Sequence, residues 1–177
     1  MESKLRFYFE SAALVEWAIS MGCPTIGRVG SRFGASLLCD HAAGNRSGDI
    51  GALQWLRRGD HECSALTCER AALKGRIEVL QWLRRQERPC DWDEGTCAAA
   101  AEGGHLEVLR WARSQEPRCE WDERTCSAAA RCGNLELLRW ARRQDPPCPR
   151  DIECCLAFAR RGGHANVVEL LQAHCFR

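Results

Sequence analysis

The chain has 177 residues, 45% of them hydrophobic, and its 25 lysine and arginine side chains balance 24 aspartates and glutamates to a net charge of +1. This length and composition are typical of one domain with a continuous core. Proteins that bind nucleic acid usually carry a strong basic excess, so we expect no nucleic-acid partner.

The sequence predicts neither a membrane span nor a secretory signal. No apolar run approaches the roughly 18 residues that a membrane helix needs, and residues 1–11 alternate charged and aromatic side chains. A secretory signal has a basic start and then an apolar stretch, so we expect a cytoplasmic or nuclear chain that does not bind membranes. In those compartments, and with an odd total of 13 cysteines, we expect reduced thiols and no disulfides.

The first 34 residues match the rest of the chain only weakly. Residues 14–18, followed by Cys23-Pro24, have the pattern of the second helix of a helix pair and its loop, and residues 1–10 are predicted to form the first helix. Residues 1–23 are therefore predicted to be an atypical N-terminal unit. Residues 24–34 are rich in glycine and arginine. They lack the phosphate-binding loop pattern and are predicted to be an inserted connecting loop.

From residue 35 onward the sequence repeats itself. Residues 104–111 are matched by residues 75–82 and 133–140, and more loosely by residues 48–55 and 163–170. The period is 29 residues in three series, which are Trp82, Trp111, Trp140; Cys68, Cys97, Cys126; and Cys90, Cys119, Cys148. A fixed period of this length indicates a repeat architecture. With the N-terminal unit, the chain is predicted to contain about six units.

Each regular unit predicts two helices. The first follows a residue that can cap a helix, namely Ser64, Asp93, Asp122 or Asp151, and is rich in alanine, the best helix former. Glycine ends it. The second helix of the central unit spans about residues 106–114, with an apolar stripe of Leu106, Leu109, Trp111 and Ala112. Because one helix pair cannot cover its own stripe, the repeated tryptophans are expected to be buried between units.

The motif at residues 104–109 and the alanine-rich helix before it resemble the ankyrin repeat. Threonine replaces the ankyrin proline at Thr67, Thr96 and Thr125, and the unit is 29 residues instead of about 33. The cysteine-acid loop at residues 119–126 is similar to divergent ankyrin proteins of algae, protists and large DNA viruses. The resemblance implies one all-α domain over residues 1–177, an ankyrin-like α-solenoid of stacked helix-turn-helix repeats with shortened or absent β-hairpin fingers.

The resemblance also implies a function. Ankyrin-like proteins bind partners with their inter-repeat loops and the exposed face of the first helices, so we expect a monomeric protein–protein interaction scaffold with an unidentified protein partner. No nucleophile with a convergent base stands out, so we expect no enzyme. Seven candidate contact residues vary between repeats while the core does not: Trp92, Glu94, Trp121, Arg124, Arg131, Arg150 and Glu153. For the two loop tryptophans an alternative is open, that each packs over the neighbouring repeat.

The cysteines support a second hypothesis, a metal- or redox-responsive protein. Zinc needs four converging ligands, usually in close pairs, and the tightest pair in the repeat register is Cys63 and Cys68, with no matching partner pair. Equivalent cysteines in stacked repeats would lie about 10 Å apart, too far to share a metal. We therefore expect the cysteines to pack as small apolar groups, with no metal and no cofactor.

A third hypothesis concerns a row of arginines at one repeat position, predicted to form an outer ridge that could bind RNA or another anion weakly. An acidic residue follows three positions after each of them, which favours a neutralised, solvated face. The arginines are Arg57, Arg84, Arg113 and Arg142, and the acids are Asp60, Glu87, Glu116 and Asp145.

The last helix, residues 166–175, has little sequence after it to cover its apolar side, and is predicted to be either frayed or a contact surface.

Overall fold

The computed structural model describes residues 32–44, 50–59 and 61–173, with side chains from residue 38 onward. Regular structure in these residues is helical throughout, and no strand is found among them. The all-α class is thus confirmed for the described residues. The ten helices are α1 (Arg32–Ala43), α2 (Ile50–Arg58), α3 (Ala65–Leu73), α4 (Ile77–Arg84), α5 (Glu94–Gly103), α6 (Leu106–Ser114), α7 (Glu123–Arg131), α8 (Leu135–Arg142), α9 (Ile152–Arg161) and α10 (Ala165–Ala173).

Two sequence predictions concern residues at the edge of this range. The N-terminal unit over residues 1–23 and most of the insert over residues 24–34 lie outside the described residues. The insert was predicted to be a loop to residue 34, but α1 already begins at Arg32. None of the described helices is long and apolar enough to cross a membrane.

The chain divides into two compact units, each larger than one repeat. The first unit consists of residues 1–71 and 76–92, and the second unit consists of residues 72–75 and 93–177. In the first unit α1 packs against α2. In the second unit α7 packs against α5 on one side and α9 on the other, and α6, α8 and α10 pack on the helices that precede them in sequence. Odd-numbered helices are called first helices below, and even-numbered helices second helices.

Local capping signals explain where the first helices of the second unit begin. The carboxylate of Asp93 accepts a hydrogen bond from the backbone N–H of Gly95 at 2.9 Å, and Asp122 accepts one from Arg124 at 3.0 Å. Asp151 caps α9 in the same way. Such a cap satisfies a free backbone donor and contributes about 1 kcal/mol, so these three predicted helix starts are confirmed.

The core of the second unit consists of small residues on the first helices and aliphatic residues on the second. Cys97, Ala100 and Ala101 of α5 are fully buried, and so are the residues at the same positions of α7, Cys126, Ala129 and Ala130. They pack with buried Val, Leu and Ala side chains of α6 and α8, namely Val108, Leu109, Ala112, Leu137, Leu138 and Ala141. Small side chains let neighbouring helices approach closely.

The predicted seam of buried tryptophans is wrong. Trp82, Trp111 and Trp140 are each only half-buried, and the stripe of α6 is Val108, Leu109 and Ala112 with Leu106 at its edge. The physical reason is size, because helices brought together by alanine and cysteine leave no room for an indole between them.

The turn inside each helix pair is fixed to the pair before it. His105 Nε2 donates to the backbone carbonyl of Leu73 at 3.2 Å, and His164 Nε2 donates to that of Arg131 at 3.0 Å. Each imidazole lies against a glycine of the preceding turn with positive φ, Gly75 (68°) or Gly133 (70°). A side chain there would clash with the ring, so glycine is needed for both space and backbone conformation.

Replacing Gly133 and Gly163 by alanine separates these two requirements. Both have positive φ, 70° and 74°, so each substitution should cost about 1–2 kcal/mol for the left-handed backbone. A methyl group at Gly133 would also meet the ring of His164, whereas nothing lies within 4 Å at Gly163. We expect Gly133→Ala to lower the free energy of unfolding in urea by about 1–3 kcal/mol more than Gly163→Ala. Equal losses would refute the packing role of His164.

Candidate functional site

Four of the seven candidate residues lie on first helices of the second unit. Arg124, Arg131 and Glu153 are exposed and Glu94 is half-exposed. Arg124 Nη2 lies 3.3 Å from Glu94 Oε1, and Arg131 Nη2 lies 2.9 Å from Glu102 Oε1, so both arginines of α7 pair with carboxylates of α5. We call these residues the first-helix face: Glu94, Glu102, Arg124, Arg131 and Glu153.

Equivalent positions of the first helices divide sharply into constant and variable ones. Four residues after Ser64, Asp93, Asp122 and Asp151, each first helix from α3 to α9 has a fully buried cysteine: Cys68, Cys97, Cys126 and Cys155. Two residues after the cap, the residue type changes in every helix, as Leu66, Gly95, Arg124 and Glu153, and three of the four are exposed. Residue type therefore varies where the helix faces solvent and is constant where it is buried.

Leu66 in the first unit is a contact candidate that sequence reasoning missed. Its side chain is 37% exposed, which is high for a large apolar residue among the described side chains. It occupies the same helix position as Arg124 and Glu153. Comparing equivalent positions across repeats could have found it, because a leucine at a position otherwise polar or glycine is not needed for the core.

Trp121 was predicted as a contact residue, but its side chain is only 7% exposed. The guanidinium of Arg113 lies 4.2 Å above its ring, and the ring meets that of Trp140 edge-on at 5.8 Å between centroids. Of the two alternatives for this residue, packing over the neighbouring repeat is therefore the one observed, and Trp121 does not belong to an exposed binding surface. A cation over an aromatic face and an edge-on ring pair are both favourable arrangements.

Trp92 in the first unit has the same kind of arginine above it. Arg84 lies 4.3 Å from the ring centroid, and its Nη1 donates to the carbonyl of Cys90 at 2.5 Å. Arg113 likewise donates to the carbonyl of Cys119 at 2.7 Å. Trp92 remains partly exposed. An arginine at the end of a second helix thus holds the following loop by a hydrogen bond and a stacked ring, an arrangement called the arginine clamp below.

The arginine clamp overturns the predicted solvated ridge. Arg84 and Arg113 are half-buried, and Arg57 donates to the carbonyl of Arg88 at 2.8 Å. Among the described residues, neither Arg84 nor Arg113 pairs with the acid three residues later, Glu87 or Glu116; Asp60, the acid that follows Arg57, lies outside the described residues. The ridge needed for a weak RNA or anion site is therefore not formed by these three arginines, because their guanidinium groups fold back onto the loops.

Arg150 lies where Trp92 and Trp121 stand in the earlier repeats, and it has a different environment. It is half-buried and lines a cavity of about 450 Å³ in the second unit. Three further arginines line that cavity with it. Among the predicted contact residues of the second unit, Glu94, Arg124, Arg131 and Glu153 lie on first helices, whereas Trp121 and Arg150 lie on the loops that precede first helices.

The loop cysteines donate hydrogen bonds to the start of the preceding first helix. Cys119 Sγ lies 3.2 Å from the carbonyl of Asp93, and Cys148 Sγ lies 3.5 Å from that of Asp122. A hydrogen bond with the Cys119 thiol, followed by burial, raises the pKa of Cys97 well above its usual range. Burial raises the pKa of Cys155 to about 11. The thiols of Cys97 and Cys155 therefore stay protonated at neutral pH, and protonated buried thiols are unreactive.

Cys63 in the first unit is more accessible than the fully buried cysteines. It is half-buried and lines an open cleft with Arg57, His61 and Trp82. Thiol hydrogen bonds, first from Cys39 and then from Cys90, together with the charge of Arg57 lower its pKa below the usual range.

No group of three or more His, Cys, Asp or Glu side chains among the described residues is arranged to hold a metal ion.

Removing the guanidinium of Arg113 tests the arginine clamp. Arg113→Ala deletes a charge-assisted hydrogen bond to the carbonyl of Cys119 and the cation above Trp121. Together these should lower the free energy of unfolding by about 2–3 kcal/mol. The matched control is Arg110→Ala on the same helix, whose exposed ion pairs with Glu107 and Glu136 should be worth about 0–1 kcal/mol. Equal losses in urea unfolding would contradict the clamp.

Comparison with known proteins gives no significant match to a family model, a curated protein or a solved structure. The internal repeats offer a different comparison, since each repeat can be set against the others at equivalent positions. The positions that differ between repeats are the ones from which binding is inferred.

Proposed function

We propose that the chain is an ankyrin-like repeat protein that binds a protein partner through its first-helix face. The observation that carries this proposal is the division of first-helix positions into a constant buried set and a variable exposed set. Packing alone explains the constancy of Cys97 and Cys126, both fully buried. Packing does not explain why the residue type changes at the exposed positions. A binding surface does explain it, because specificity for a partner needs a particular set of side chains.

The ankyrin-like part of the proposal is supported by the helix pairs of the second unit. Each pair consists of two short helices that are consecutive in sequence and are joined by a tight turn containing a glycine with positive φ, namely Gly104, Gly133 or Gly163. The central first helix, α7, packs against first helices on both sides. Repeat proteins bury their apolar stripes in this nearest-neighbour manner.

The ion pairs of the first-helix face can be exchanged for ion pairs with a partner. Arg124 pairs with Glu94 and Asp122, and Arg131 pairs with Glu102, yet all of these side chains keep contact with solvent. Exposed ion pairs contribute about 0–1 kcal/mol each, so a partner can replace one of them at little cost. The face presents both signs of charge, which favours a partner surface of mixed charge over a polyanion.

Reversing the charge of two arginines on the first-helix face should abolish capture of the partner. Tagged wild type and an Arg124→Glu/Arg131→Glu variant are used as baits in a lysate of the source cells, and captured proteins are quantified by mass spectrometry. We expect a partner whose recovery falls by about tenfold or more in the variant, as for loss of contacts near the centre of an interface.

The matched control for this experiment is Arg110→Glu/Arg118→Glu. It makes the same change in net charge at two exposed arginines outside the first helices. The proposal requires this control to retain the partner, and circular dichroism to give all three baits the same helix content. A partner lost equally from both variants, or kept by both, would place recognition elsewhere.

A second candidate function, a redox-responsive thiol, is favoured by Cys63, which is half-buried beside an open cleft. The thiolate is the reactive form, and the lowered pKa of Cys63 keeps this form present as pH falls. The alkylation rate of Cys63 should therefore stay nearly constant from pH 8 to pH 6, whereas an ordinary thiol with a pKa of about 8.5 slows about tenfold per unit. Iodoacetamide labelling read by peptide mass spectrometry measures the rate, with Cys132, which is exposed, as the internal reference. A tenfold fall per unit at Cys63 would eliminate this candidate.

A further inference from the structure

The position of Arg142, at the end of α8, lacks the aromatic residues that complete the arginine clamp one repeat earlier. There, Arg113 lies over Trp121, and Trp121 meets Trp140. One repeat later the corresponding residues are Arg142, Arg150 and Leu170. The arginine of the clamp is thus retained, while an arginine and a leucine replace the two indoles.

A cavity of about 450 Å³ lies at this place. Its volume is within the range of about 300–1,000 Å³ that is typical of ligand pockets. The lining combines four arginines with an apolar surface of leucine and cysteine side chains, and it consists of Cys126, Leu138, Arg139, Arg142, Arg143, Arg150, Cys155, Leu170 and Leu171. We call it the arginine cavity.

No carboxylate of the described residues neutralises the charges of the arginine cavity. No carboxylate is among its lining residues. Within the described residues, none of the four arginines forms an ion pair, and the Nε of Arg142 is buried without a hydrogen-bond partner. Because like charges repel and a buried donor without an acceptor is unfavourable, these groups are complementary to an anionic ligand.

We propose that the arginine cavity binds a tryptophan side chain flanked by acidic residues in a peptide segment of a protein partner. This inference rests on the proposed function, binding of a protein, and assigns it a second contact site. The partner's indole takes the place that Trp121 has one repeat earlier, with Arg142 stacked on it as Arg113 is on Trp121. Carboxylates beside the tryptophan pair with Arg139, Arg143 and Arg150, since guanidinium groups match carboxylates in geometry and charge.

The apolar part of the lining decides between this ligand and a simple anion. Leu170, which lines the cavity and is partly exposed, offers nothing to inorganic phosphate, whereas it provides a surface for an aromatic ring. Two clamps in this chain, at Trp92 and Trp121, show that an arginine at this repeat position holds an indole at 4.2–4.3 Å. The chemistry of the site therefore combines an aromatic ring with negative charge in one ligand.

The test uses the full chain and dye-labelled peptides followed by fluorescence anisotropy. The probe has the sequence Asp-Glu-Trp-Glu-Asp, and the comparison peptides are Asp-Glu-Ala-Glu-Asp and Lys-Lys-Trp-Lys-Lys. We expect the probe to bind about tenfold or more tightly than either comparison peptide, because each lacks one of the two required features. Equal binding of the alanine peptide, or complete competition by inorganic phosphate at equal concentration, would show a plain anion site and overturn the proposal.

Two variants locate the binding site. Arg150→Trp restores the residue of the preceding repeats and fills the cavity, so it should reduce probe binding about tenfold or more while the melting temperature stays equal or rises. Arg139→Glu should reduce probe binding by at least as much. Its control is Arg110→Glu, at the same helix position one repeat earlier, which should leave probe binding unchanged. If Arg150→Trp binds the probe as wild type does, the inference is wrong.

The Arg124→Glu/Arg131→Glu variant separates this inference from the proposed function. It changes the first-helix face and none of the residues that line the arginine cavity, so it should bind the probe like wild type. If it loses the probe while Arg150→Trp keeps it, the peptide binds the first-helix face. In that case the arginine cavity is not the site, and the proposed protein binding through the first-helix face stands.

Discussion

Close packing of small residues on the first helices determines where every larger side chain of the second unit can lie. Cys97, Ala100 and Ala101 are fully buried, as are their equivalents on α7. A contact made by cysteine and alanine brings neighbouring helices so close that aliphatic side chains fill the remaining space. Indoles and guanidinium groups are then confined to the margins of the helix pairs. Their interactions with each other and with the loops follow from that exclusion.

The arginine clamp is the main consequence of this exclusion. An arginine at the end of a second helix is half-buried, so those of its donors that water does not reach need partners within the protein. Arg113 does so with the carbonyl of Cys119 and the face of Trp121, and it thereby fixes a loop that has no regular secondary structure. In the next repeat the clamp is incomplete, because Arg150 stands in place of the tryptophan. Beside this loop, Arg142 and Arg150 line a cavity that contains four arginines and no carboxylate of the described residues.

Sequence alone could predict the elements that depend on local signals. Asp93 and Asp122 as helix caps, α6 over residues 106–114 and the buried Cys97 follow from capping, glycine turns and periodicity, which act within a few residues. The place of Trp111 could not be predicted, because periodicity shows that a position recurs and not whether the neighbouring helices leave room for it. Arg113 was assigned to a solvated face by a rule for one helix, although its partner Trp121 lies eight residues away on a loop. The arginine cavity depends on Arg150 and Leu170, which meet only in the folded unit.

The two proposed contact sites share one helix without sharing a surface. Arg124 belongs to the first-helix face, whereas Cys126, two residues later, lines the arginine cavity and is fully buried. Two residues correspond to about 200° around an α-helix, so the sites lie on opposite sides of α7. Both are also places where the chain departs from its own repeat, at Arg124 on the exposed side and at Arg150 on the loop. Departures that oppose local stability, such as a second arginine beside Arg142, are expected mainly at functional sites. In a protein made of near-identical units, it is therefore the break in the pattern, more than the pattern, that indicates where a partner binds.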